Sequence, residues 1–549
     1  MKPTLKSILG SIPYTADLYD ALRKGRPRTR YNLEQLQAAL PAAVEQTRRY
    51  AEKAPREKKL LLFATLHYWV EQAAMVGLAL RGMGHEVTIA YLPYSDWHKE
   101  RNPFDLRRQD LYTRRVLAQM DGLVRYVSLL DVIASRSVAK QSPVKRDSAT
   151  REEIASVAGE RSLAMTWLEK AVETASAFDT MYTLQVEDFD RESELYRLRL
   201  RMNRSAALAA LTLLQAERPD VVLVPNGLVT ELGVFYQVAR HLGLQTVTYE
   251  FNDQREQIWL SQNEIVMRQN TDSLWAARGK IPLTETEREE IAALEDARTS
   301  AKKYGKGTRF WQDVASMGGK QLRKTLGLDE RPVALLATNV LGDSLTLGRN
   351  AFASSMAEWI EKTVQYFAKR EDVQLVVRVH PGERLIKGPS MLGVIERAVP
   401  QRPAQIRVVG PDEKINTYDC MEIAGLGLAY TTTVGMEMAM RGVPVILAGN
   451  THYRGRGFTF DPSSWDEYFA TLGRLLSDLP ACRLSREQVE IAWNYAYRFF
   501  FEYPLPFPWR LMHFWKDVEI WPLGRVLSEE GQAEYKKTFD YLAGEPIKW

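Results

Sequence analysis

The residues with the clearest chemical potential lie in one stretch of the chain, between Leu375 and Asp461. His380 and Pro381 come directly after an apolar run, and Arg384 follows shortly afterwards. Because proline disfavours helical geometry in the residue before it, His380 is expected to stand at the end of a strand. An imidazole and a guanidinium at that position could donate hydrogen bonds to phosphate oxygens. The alternative is a structural turn in which the backbone satisfies His380.

A second set of polar residues follows the next predicted strand. Thr431, Thr432 and Thr433 precede Gly435 and Glu437 at the predicted start of a helix. The first N–H groups of a helix attract anions, and a glycine lets a phosphate approach the backbone. Glu437 could then bond a ribose hydroxyl. The same pattern is equally typical of a helix cap with a carboxylate that suits the helix dipole, so both interpretations stay open.

Polar residues also follow short apolar runs in the first half of the chain. His67 comes after KLLLFA, Asn226 and Gly227 come after DVVLV, and Glu250 comes after the run Gln245–Tyr249. The carboxyl ends of parallel strands share one edge of a sheet, where open α/β sheets bind their ligands. We therefore expect these groups to form a second part of the site. Glu250 is the first candidate for catalysis, as a base or a nucleophile.

Three other segments carry polar residues with a predicted role. Asp343, in a polar loop after a strand, is the second catalytic candidate. His452 and Arg454 follow another strand and could close over a diphosphate or a sugar, although a charged loop or a contact between domains explains them equally. Asp188 and Asp190 form a pair that could hold a divalent metal, but capping of the following helix is the favoured interpretation, and no metal site is predicted.

The elements that must position these residues follow a βαβ rhythm. Short apolar runs rich in β-branched residues alternate with helical segments in residues 56–283 and again in residues 327–485. This pattern is typical of parallel sheets, and it predicts an α/β protein with two Rossmann-like, doubly wound domains. Additional helical segments are predicted at residues 1–55, in an insert at about 96–215, in a connection at 284–326 and in a tail at 486–549.

Composition limits the classes of function. The chain has 549 residues, of which 45% are hydrophobic and 26% charged, with a formal net charge of +4. So small a charge gives no support to nucleic-acid binding. The two cysteines, Cys420 and Cys482, form no spaced framework. No apolar stretch approaches the roughly 20 residues that span a bilayer, and the N-terminal residues lack the pattern of a signal peptide, so we expect a cytoplasmic protein.

The C-terminal tail contains an aromatic stretch, residues 495–515, with the sequence YAYRFFFEYPLPFPWRLMHFW. One interpretation is packing of this stretch back onto the first domain. The other is a peripheral contact with the inner face of the cytoplasmic membrane, since aromatics and arginine suit that interface.

The segments HPGER, TTTVGMEMAMRGVPVI and HYRGRGFT together resemble the C-terminal half of GT-B glycosyltransferases. The resemblance is to bacterial capsule polysaccharide biosynthesis proteins, including the capsule Kdo transferases, and it covers about residues 375–459. The chain is more distantly similar to CDP-glycerol glycerophosphotransferases, polysialyltransferases and non-hydrolysing UDP-sugar 2-epimerases. In these families an HP motif and a hydroxyl-rich G-x-E loop contact the nucleotide. That implies donor contacts from His380, Pro381, Thr431, Thr432, Thr433, Gly435 and Glu437, with threonines in place of the commoner serines.

The resemblance implies a metal-independent GT-B glycosyltransferase that needs no cofactor. It would move a sugar from a CMP- or UDP-linked donor, held by the second domain, to a surface or capsular polysaccharide or a lipid-linked glycan, held by the first. Two alternatives stay open. One is a non-hydrolysing UDP-sugar 2-epimerase, and the other is a non-catalytic GT-B-like protein that binds a sugar nucleotide during polysaccharide assembly.

Overall fold

The computed structural model describes residues 8–549 apart from residues 11, 13, 24, 55–56, 97–99, 140–150, 253, 255, 305–313 and 387. For residues 136–139 and 151–165 it describes the backbone alone. Among the described residues, no helix combines the length and the apolar content needed to cross a bilayer.

The first sheet is built from apolar runs that are buried on both faces, as parallel strands covered by helices require. In β1, with the sequence KLLLFAT, every residue after the first is buried. The strands in chain order are β1 (Lys59–Thr65), β2 (Glu86–Leu92), β3 (Arg125–Ser128), β4 (Val221–Pro225), β5 (Gln245–Phe251) and β6 (Gln257–Gln262). Strands β1 to β5 are parallel in the order β3-β2-β1-β4-β5, and β6 pairs antiparallel with β5.

The second sheet repeats this winding with five parallel strands in the order β11-β10-β7-β8-β9. They are β7 (Val333–Ala337), β8 (Gln374–Arg378), β9 (Ile406–Val409), β10 (Leu426–Ala429) and β11 (Val445–Leu447). In each sheet the chain winds outward from a central strand and then reverses to the other side of it, which is the Rossmann arrangement. The prediction of two Rossmann-like, doubly wound units is confirmed.

Helices cover both sheets and also make up much of residues 15–51 and 103–217, although the strand β3 lies within the segment predicted to be a helical insert. They are α1 (Thr15–Leu22), α2 (Glu34–Ala51), α3 (His67–Gly82), α4 (Pro103–Leu117), α5 (Leu129–Ala139), α6 (Arg151–Leu184), α7 (Glu194–Glu217), α8 (Thr230–His241), α9 (Asp272–Arg278), α10 (Glu285–Thr299), α11 (Gly319–Leu326), α12 (Met356–Ala368), α13 (Met391–Ala398), α14 (Thr417–Glu422), α15 (Val434–Met440), α16 (Trp465–Ser477), α17 (Arg486–Tyr497), α18 (Phe514–Ile520), α19 (Leu523–Leu527) and α20 (Glu529–Leu542). Ser193, Ser355 and Ser485 accept backbone N–H groups at the starts of α7, α12 and α17. These side-chain caps explain why the helices begin there.

Two segments connect the halves of the molecule. The carboxylate of Glu187, just after α6, accepts the backbone N–H groups of Met356 and Ala357 at 3.0 and 2.9 Å, so the insert caps a helix of the second half. The C-terminal tail returns to the first sheet, where β12 (Leu505–Pro506) pairs antiparallel with β6. Trp509, which follows β12, is fully buried in the core of the first half. For this part of the aromatic stretch the packing interpretation is confirmed.

Candidate active site

A cavity of about 230 Å³ opens at the carboxyl ends of β7, β8 and β10. Those three strands are neighbours in the second sheet, so the residues that follow them converge. We call it the hydroxyl cavity. Its wall contains Asn252, Gln254, Gln257, Trp259, Gln269, Leu294, Tyr304, Asn339, Leu345, His380, Thr431, Thr432, Thr433, Phe499, Phe500 and Phe501. Hydroxyl, amide and aromatic groups dominate this set, and it includes no lysine or arginine among the described residues.

Hydrogen bonds hold the loop Thr431–Thr433, which we call the threonine loop. The N–H of Thr431 donates to Oδ1 of Asn339, the second residue after β7, at 3.2 Å. The carbonyl of Thr432 accepts the hydroxyl of Tyr453 at 2.6 Å, and the Thr432 hydroxyl accepts the N–H of Val434 at 3.4 Å. The loop therefore presents its hydroxyl groups in a fixed arrangement, which suits the binding of a polar ligand.

His380 stands at the end of β8, exposed at the cavity wall as the position of Pro381 predicts. Its Nδ1 accepts the N–H of Gly382 at 3.0 Å. A neutral imidazole whose Nδ1 is an acceptor carries its proton on Nε2. His380 can therefore donate a hydrogen bond from Nε2 to an oxygen atom of a ligand. Arg384, by contrast, is exposed on the following turn and does not line this cavity.

Gly435 and Glu437 do not line the cavity, so they do not occupy the positions predicted for contacts with a phosphate and a ribose. A Cβ at Gly435 would overlap the hydroxyl of Tyr453, so packing requires the glycine. Glu437 is 1% exposed, and its carboxylate pairs with Arg298 at 2.9 Å and accepts the hydroxyl of Tyr418 at 2.5 Å. Neither residue lines the cavity, and both support the threonine loop from beneath.

Arg298 was not identified from the sequence, because it comes from helix α10 between the two halves. It is 3% exposed and donates to the Thr433 hydroxyl at 3.4 Å. Its guanidinium also lies 4.7 Å from the ring centre of Phe500. The ion pair with Glu437 thus joins the connecting helix to two residues of the cavity wall.

An aromatic surface completes the hydroxyl cavity. Phe499, Phe500 and Phe501 lie in a π-helical turn, Arg498–Glu502, of a type that recurs at functional sites. The ring of Tyr304 contacts Phe501 edge to face at 5.9 Å between centroids. Such faces can stack against a planar ring. Residues 499–501 belong to the aromatic stretch singled out above, but sequence alone did not connect them with a cavity.

A second cavity, of about 200 Å³, lies at the equivalent edge of the first sheet. We call it the carboxylate cavity. Its wall contains Thr65, Leu66, Tyr68, Trp69, Tyr182, Asn226, Val229, Thr230, Leu232, Glu250 and Leu511. Leu66, Asn226 and Thr230 have φ values of 65°, 58° and 54°, in the left-handed region that L residues rarely adopt. Strained backbone of this kind clusters at ligand-binding and catalytic sites.

Glu250 is held by two hydrogen bonds, one of them from Asn226, which was predicted to accompany it at this edge. Its Oε2 accepts Nδ2 of Asn226 at 3.0 Å, and its Oε1 accepts the N–H of Phe251 at 3.0 Å. Gly227 follows with a φ of 76°, and a Cβ there would lie 2.7 Å from Cγ2 of Thr248. The glycine is therefore required by the backbone turn that orients Asn226.

The two catalytic candidates come from different halves, and Glu250 lines the carboxylate cavity whereas Asp343 lines neither cavity. Burial raises the pKa of Glu250, the hydrogen bonds from Asn226 and Phe251 oppose that rise, and the charge of Asp343 adds to it. Burial also raises the pKa of Asp343, against the effect of the Leu345 N–H. Acidic groups with raised pKa values are suited to proton transfer near neutral pH.

Tyr182, which lines the carboxylate cavity, was missed because it belongs to the inserted helix α6. Burial raises its pKa to about 12, and the charges of Asp343 and Glu250 contribute to that rise. Tyr182 also packs in a small apolar cluster with Trp259 and Leu345, which line the hydroxyl cavity. This cluster separates the two cavities.

The remaining predicted site residues lie outside both cavities. His67 begins α3 with its ring against Tyr31 and Tyr68, and burial together with the charge of Arg26 lowers its pKa. His452 is 6% exposed and stacks on Phe499 with 3.8 Å between ring centres.

Arg454 donates to the carbonyls of Leu447 and Gly449 at 3.1 and 3.4 Å and also to that of Pro462. The contacts of His452 and Arg454 hold the loop after β11 in place.

The described residues contain no group of three or more His, Cys, Asp or Glu side chains arranged to hold a metal ion. Asp188 and Asp190 accept the N–H groups of Phe189 and Glu192 at 2.9 and 2.8 Å. The expectation that one of them caps the following helix is wrong, because Ser193 is the cap of α7. Both aspartates instead stabilise the turn that leads into that cap.

No family model matches the sequence, and no curated protein matches it. Among solved structures, the chain is similar to KpsC, a β-Kdo 2,4-transferase of Thermosulfurimonas dismutans, with 15% identity and a TM-score of 0.32, covering 50% of this chain and 78% of that one. It is similar to the UDP-GlcNAc 2-epimerase of Neisseria meningitidis, with 11% identity and a TM-score of 0.26, covering 81% and 99%. It is also similar to a glycosyltransferase of Rickettsia africae ESF-5, with 9% identity and a TM-score of 0.26, covering 86% of this chain and 99% of that one.

Proposed function

We propose that the protein is a glycosyltransferase that moves a sugar from a nucleotide-sugar donor to a surface or capsular polysaccharide or a lipid-linked glycan. In this proposal residues 327–485 hold the donor and residues 56–283 hold the acceptor. The observation that carries the proposal is that the carboxylate cavity and the hydroxyl cavity adjoin one apolar cluster, in which Tyr182 lines the first cavity and Leu345 lines the second. A reaction between two bound molecules needs this meeting of two sites at one position.

The hydroxyl cavity provides the groups that a nucleoside phosphate requires. Nε2 of His380 and the hydroxyls of Thr432 and Thr433 can donate to phosphate oxygens. The rings of Phe500 and Tyr304 offer flat apolar surfaces for the base. The HPGER and TTTVGMEMAM segments resemble the nucleotide-binding motifs of GT-B enzymes, which supports the same assignment.

The carboxylate cavity provides the base. Asn226 and the N–H of Phe251 orient the carboxylate of Glu250, and its raised pKa brings proton acceptance closer to neutral pH. Glu250 takes the proton from an acceptor hydroxyl as that oxygen attacks the anomeric carbon of the donor sugar. The new glycosidic bond forms while the bond from that carbon to the phosphate oxygen breaks. His380 and the threonine hydroxyls stabilise the charge that develops on the departing phosphate, without a metal ion.

The first test is the binding of nucleotides to the full chain. We expect CMP, CDP or UDP to raise the melting temperature, since a ligand that binds only the folded state stabilises it. The nucleotide that binds then names the donor to be used in a transfer assay with capsular or lipid-linked acceptors. If none of CMP, CDP, UDP and GDP raises the melting temperature of the chain, the proposal is wrong.

The pair of carboxyl groups also favours a second function, a non-hydrolysing UDP-sugar 2-epimerase. Epimerisation needs acidic groups that remove and return a proton on the sugar, and the pKa values of Glu250 and Asp343 are both raised. The two functions differ in their products. An epimerase interconverts UDP-sugars without an acceptor, whereas a transferase releases nucleotide only as a glycan grows. Nuclear magnetic resonance of the UDP-sugar after incubation with the protein alone distinguishes them.

A further inference from the structure

A third cavity, of about 340 Å³, lies beside the hydroxyl cavity. Its wall comes from both halves: the segment after β6, the loop after β7 and the loop after β11. We call it the arginine cavity. Its charged residues are Arg268, Arg349, Arg454, Arg456, Glu264 and Asp272, so cations outnumber carboxylates by two. This balance contrasts with the hydroxyl cavity, where neither lysine nor arginine lines the described wall.

Most of these arginines are held by neutral partners. Arg268 donates to the carbonyls of Leu347 and Gly348 at 3.1 and 2.8 Å. Arg349 donates to the carbonyls of Met267 and Asn450 at 2.5 and 2.8 Å. Backbone carbonyls fix the position of a guanidinium but leave its charge in place. The wall is therefore built to hold positive charge without cancelling it.

Among the described residues, Arg456 alone of the four arginines has a carboxylate within ion-pair distance, Asp272 at 2.5 Å. The side chain of Asp272 is 72% exposed, so solvent weakens this pair. Glu264 accepts Nδ2 of Asn270 at 2.8 Å instead of an arginine. Arg268, Arg349 and Arg454 therefore have no carboxylate within ion-pair distance in the part of the chain that the structure describes.

The buried interior of this wall also contains polar atoms without partners. Arg349 is 4% exposed and His452 is 6% exposed. Within the described part of the chain, no hydrogen bond satisfies Nε of Arg349, Nε of Arg456 or Nε2 of His452. Buried polar groups are costly to leave unsatisfied, and a bound ligand is one way in which proteins satisfy them.

We propose that the arginine cavity is a second ligand site, which binds a small molecule through a phosphate or carboxylate group. Guanidinium groups pair with such oxyanions through parallel, charge-assisted hydrogen bonds. Two arginines that lie close together without an intervening carboxylate repel each other, and an oxyanion between them relieves that repulsion. The pKa of Arg349 is lowered to about 10, first by burial and then by the charge of Arg268, while the charge of Glu264 opposes this shift.

This site shares a wall with the hydroxyl cavity. The Thr451 hydroxyl donates to the carbonyl of Thr431 at 3.4 Å, and the ring of His452 stacks on Phe499. Thr451 and His452 line the arginine cavity, whereas Thr431 and Phe499 line the hydroxyl cavity. The inference does not depend on the proposed function, because the oxyanion would bind whether or not a nucleotide occupies the neighbouring cavity.

Calorimetric titration of the full chain tests the proposal, with inorganic phosphate and glucuronate as separate probes. We expect at least one probe to bind, and its identity distinguishes a phosphate ligand from a carboxylate ligand. Arg268→Gln and Arg456→Gln should each weaken that binding roughly tenfold or more, since each removes a charge-assisted contact. Arg402→Gln is the matched control, because Arg402 is exposed and lies outside the cavity.

The variant His380→Ala separates this site from the hydroxyl cavity. Binding that survives in His380→Ala and weakens in both arginine variants supports the proposal. Binding that is lost in His380→Ala but unchanged in the arginine variants would assign the oxyanion to the hydroxyl cavity and overturn it. The proposal is also wrong if neither probe binds the wild-type chain. Melting curves identify any arginine variant that fails to fold, and the other variant then decides.

Discussion

The hydroxyl cavity and the carboxylate cavity occupy equivalent edges of two sheets with the same winding order, yet they are built in opposite ways. In the carboxylate cavity, Leu66, Asn226 and Thr230 adopt left-handed backbone conformations around an acid with a raised pKa. The residues that the second half contributes to the hydroxyl cavity have no positive φ value among those described. Their polar groups are instead fixed by ordinary hydrogen bonds, as Thr431 and Asn339 illustrate.

This difference suggests that the carboxylate cavity carries out the reaction and that the hydroxyl cavity binds the donor. A residue held in a strained conformation costs about 1–3 kcal/mol, and it persists only where the surroundings enforce it. Three such residues line the cavity that contains Glu250. Their strained backbone lowers the stability of the fold but fixes the positions of the groups around Glu250. Among the described residues, the wall that the second half contributes to the hydroxyl cavity has no such strained backbone. An unstrained wall suits a site that binds a ligand without reacting with it.

Replacement of Glu250 should have the largest effect on activity. We expect Glu250→Gln to reduce kcat by roughly 10²–10⁴-fold, the range for loss of a general base. The amide keeps the shape of the side chain but cannot take a proton. The measurement is the transfer rate with saturating donor and acceptor, and the matched control is Glu396→Gln on the exposed face of α13.

The same variant should be more stable than the wild type at neutral pH. The pKa of Glu250 is raised in the folded protein, so ionisation above that pKa costs stability relative to the unfolded chain. Glutamine removes this cost, and the melting temperature should rise while activity falls. If Glu250→Gln keeps near-wild-type turnover, Glu250 is not the base. The carboxylate cavity would then not be the place where the proton is transferred.

The next largest effect concerns the support beneath the hydroxyl cavity. Arg298 and Glu437 are both buried, with side-chain exposures of 4% and 1%. Arg298→Met leaves the carboxylate of Glu437 without its cation, which should lower the free energy of unfolding by about 3–5 kcal/mol. The measurement is urea denaturation followed by circular dichroism.

A double variant provides the control for this effect. Arg298→Met combined with Glu437→Gln removes both charges and should recover part of the lost stability, because no unpaired ion remains. A single-variant loss below about 1 kcal/mol, the value of an exposed pair, would show that this ion pair does not support the cavity.

Replacement of His380 should have a smaller effect, and it should lower the affinity for nucleotide more than the stability of the fold. His380→Ala removes one donor to a phosphate, worth about 1.5–3 kcal/mol for a hydrogen bond to a charged group. Nucleotide affinity should fall roughly ten- to a hundredfold, while the variant Glu250→Gln should bind nucleotide like the wild type. Calorimetry with the stabilising nucleotide measures both, with His241→Ala as a control outside the cavities. Equal losses of nucleotide affinity in His380→Ala and Glu250→Gln would contradict the assignment of nucleotide binding to the hydroxyl cavity and of the reaction to the carboxylate cavity.

Much of the fold could be predicted because each sheet is built on long buried runs. β1, β4 and β7 consist almost entirely of buried apolar residues, and such runs identify parallel strands. The strands β3 and β6 were missed. β3 has only four residues, RYVS, and β6 mixes buried and partly exposed residues in QIWLSQ, so neither carries a clear apolar pattern. β12 has two residues and is defined only by its pairing with β6.

The candidate site could be predicted where its residues follow strands in the chain. His380 and Thr432 reach the hydroxyl cavity, and Asn226 and Glu250 reach the carboxylate cavity, for that reason. Tyr182 could not be found in this way, because a helix of the insert brings it to the site from a distant part of the sequence. Chain folding likewise pairs Arg298 with Glu437, and no local pattern indicates which carboxylates are buried in ion pairs.

The smallest effect should come from Asp343, and it tests the link between the two halves directly. A base works when deprotonated, so activity should rise with pH through the raised pKa of Glu250. The charge of Asp343 contributes to that raised value. In Asp343→Asn that charge is absent, the pKa of Glu250 falls, and the acidic limb of the pH–activity profile should move to lower pH. Asp412→Asn, at an exposed position outside the cavities, should leave the profile unchanged. An unshifted limb in Asp343→Asn would mean that the two carboxyl groups do not meet in the working protein, and the second half would then contribute binding alone.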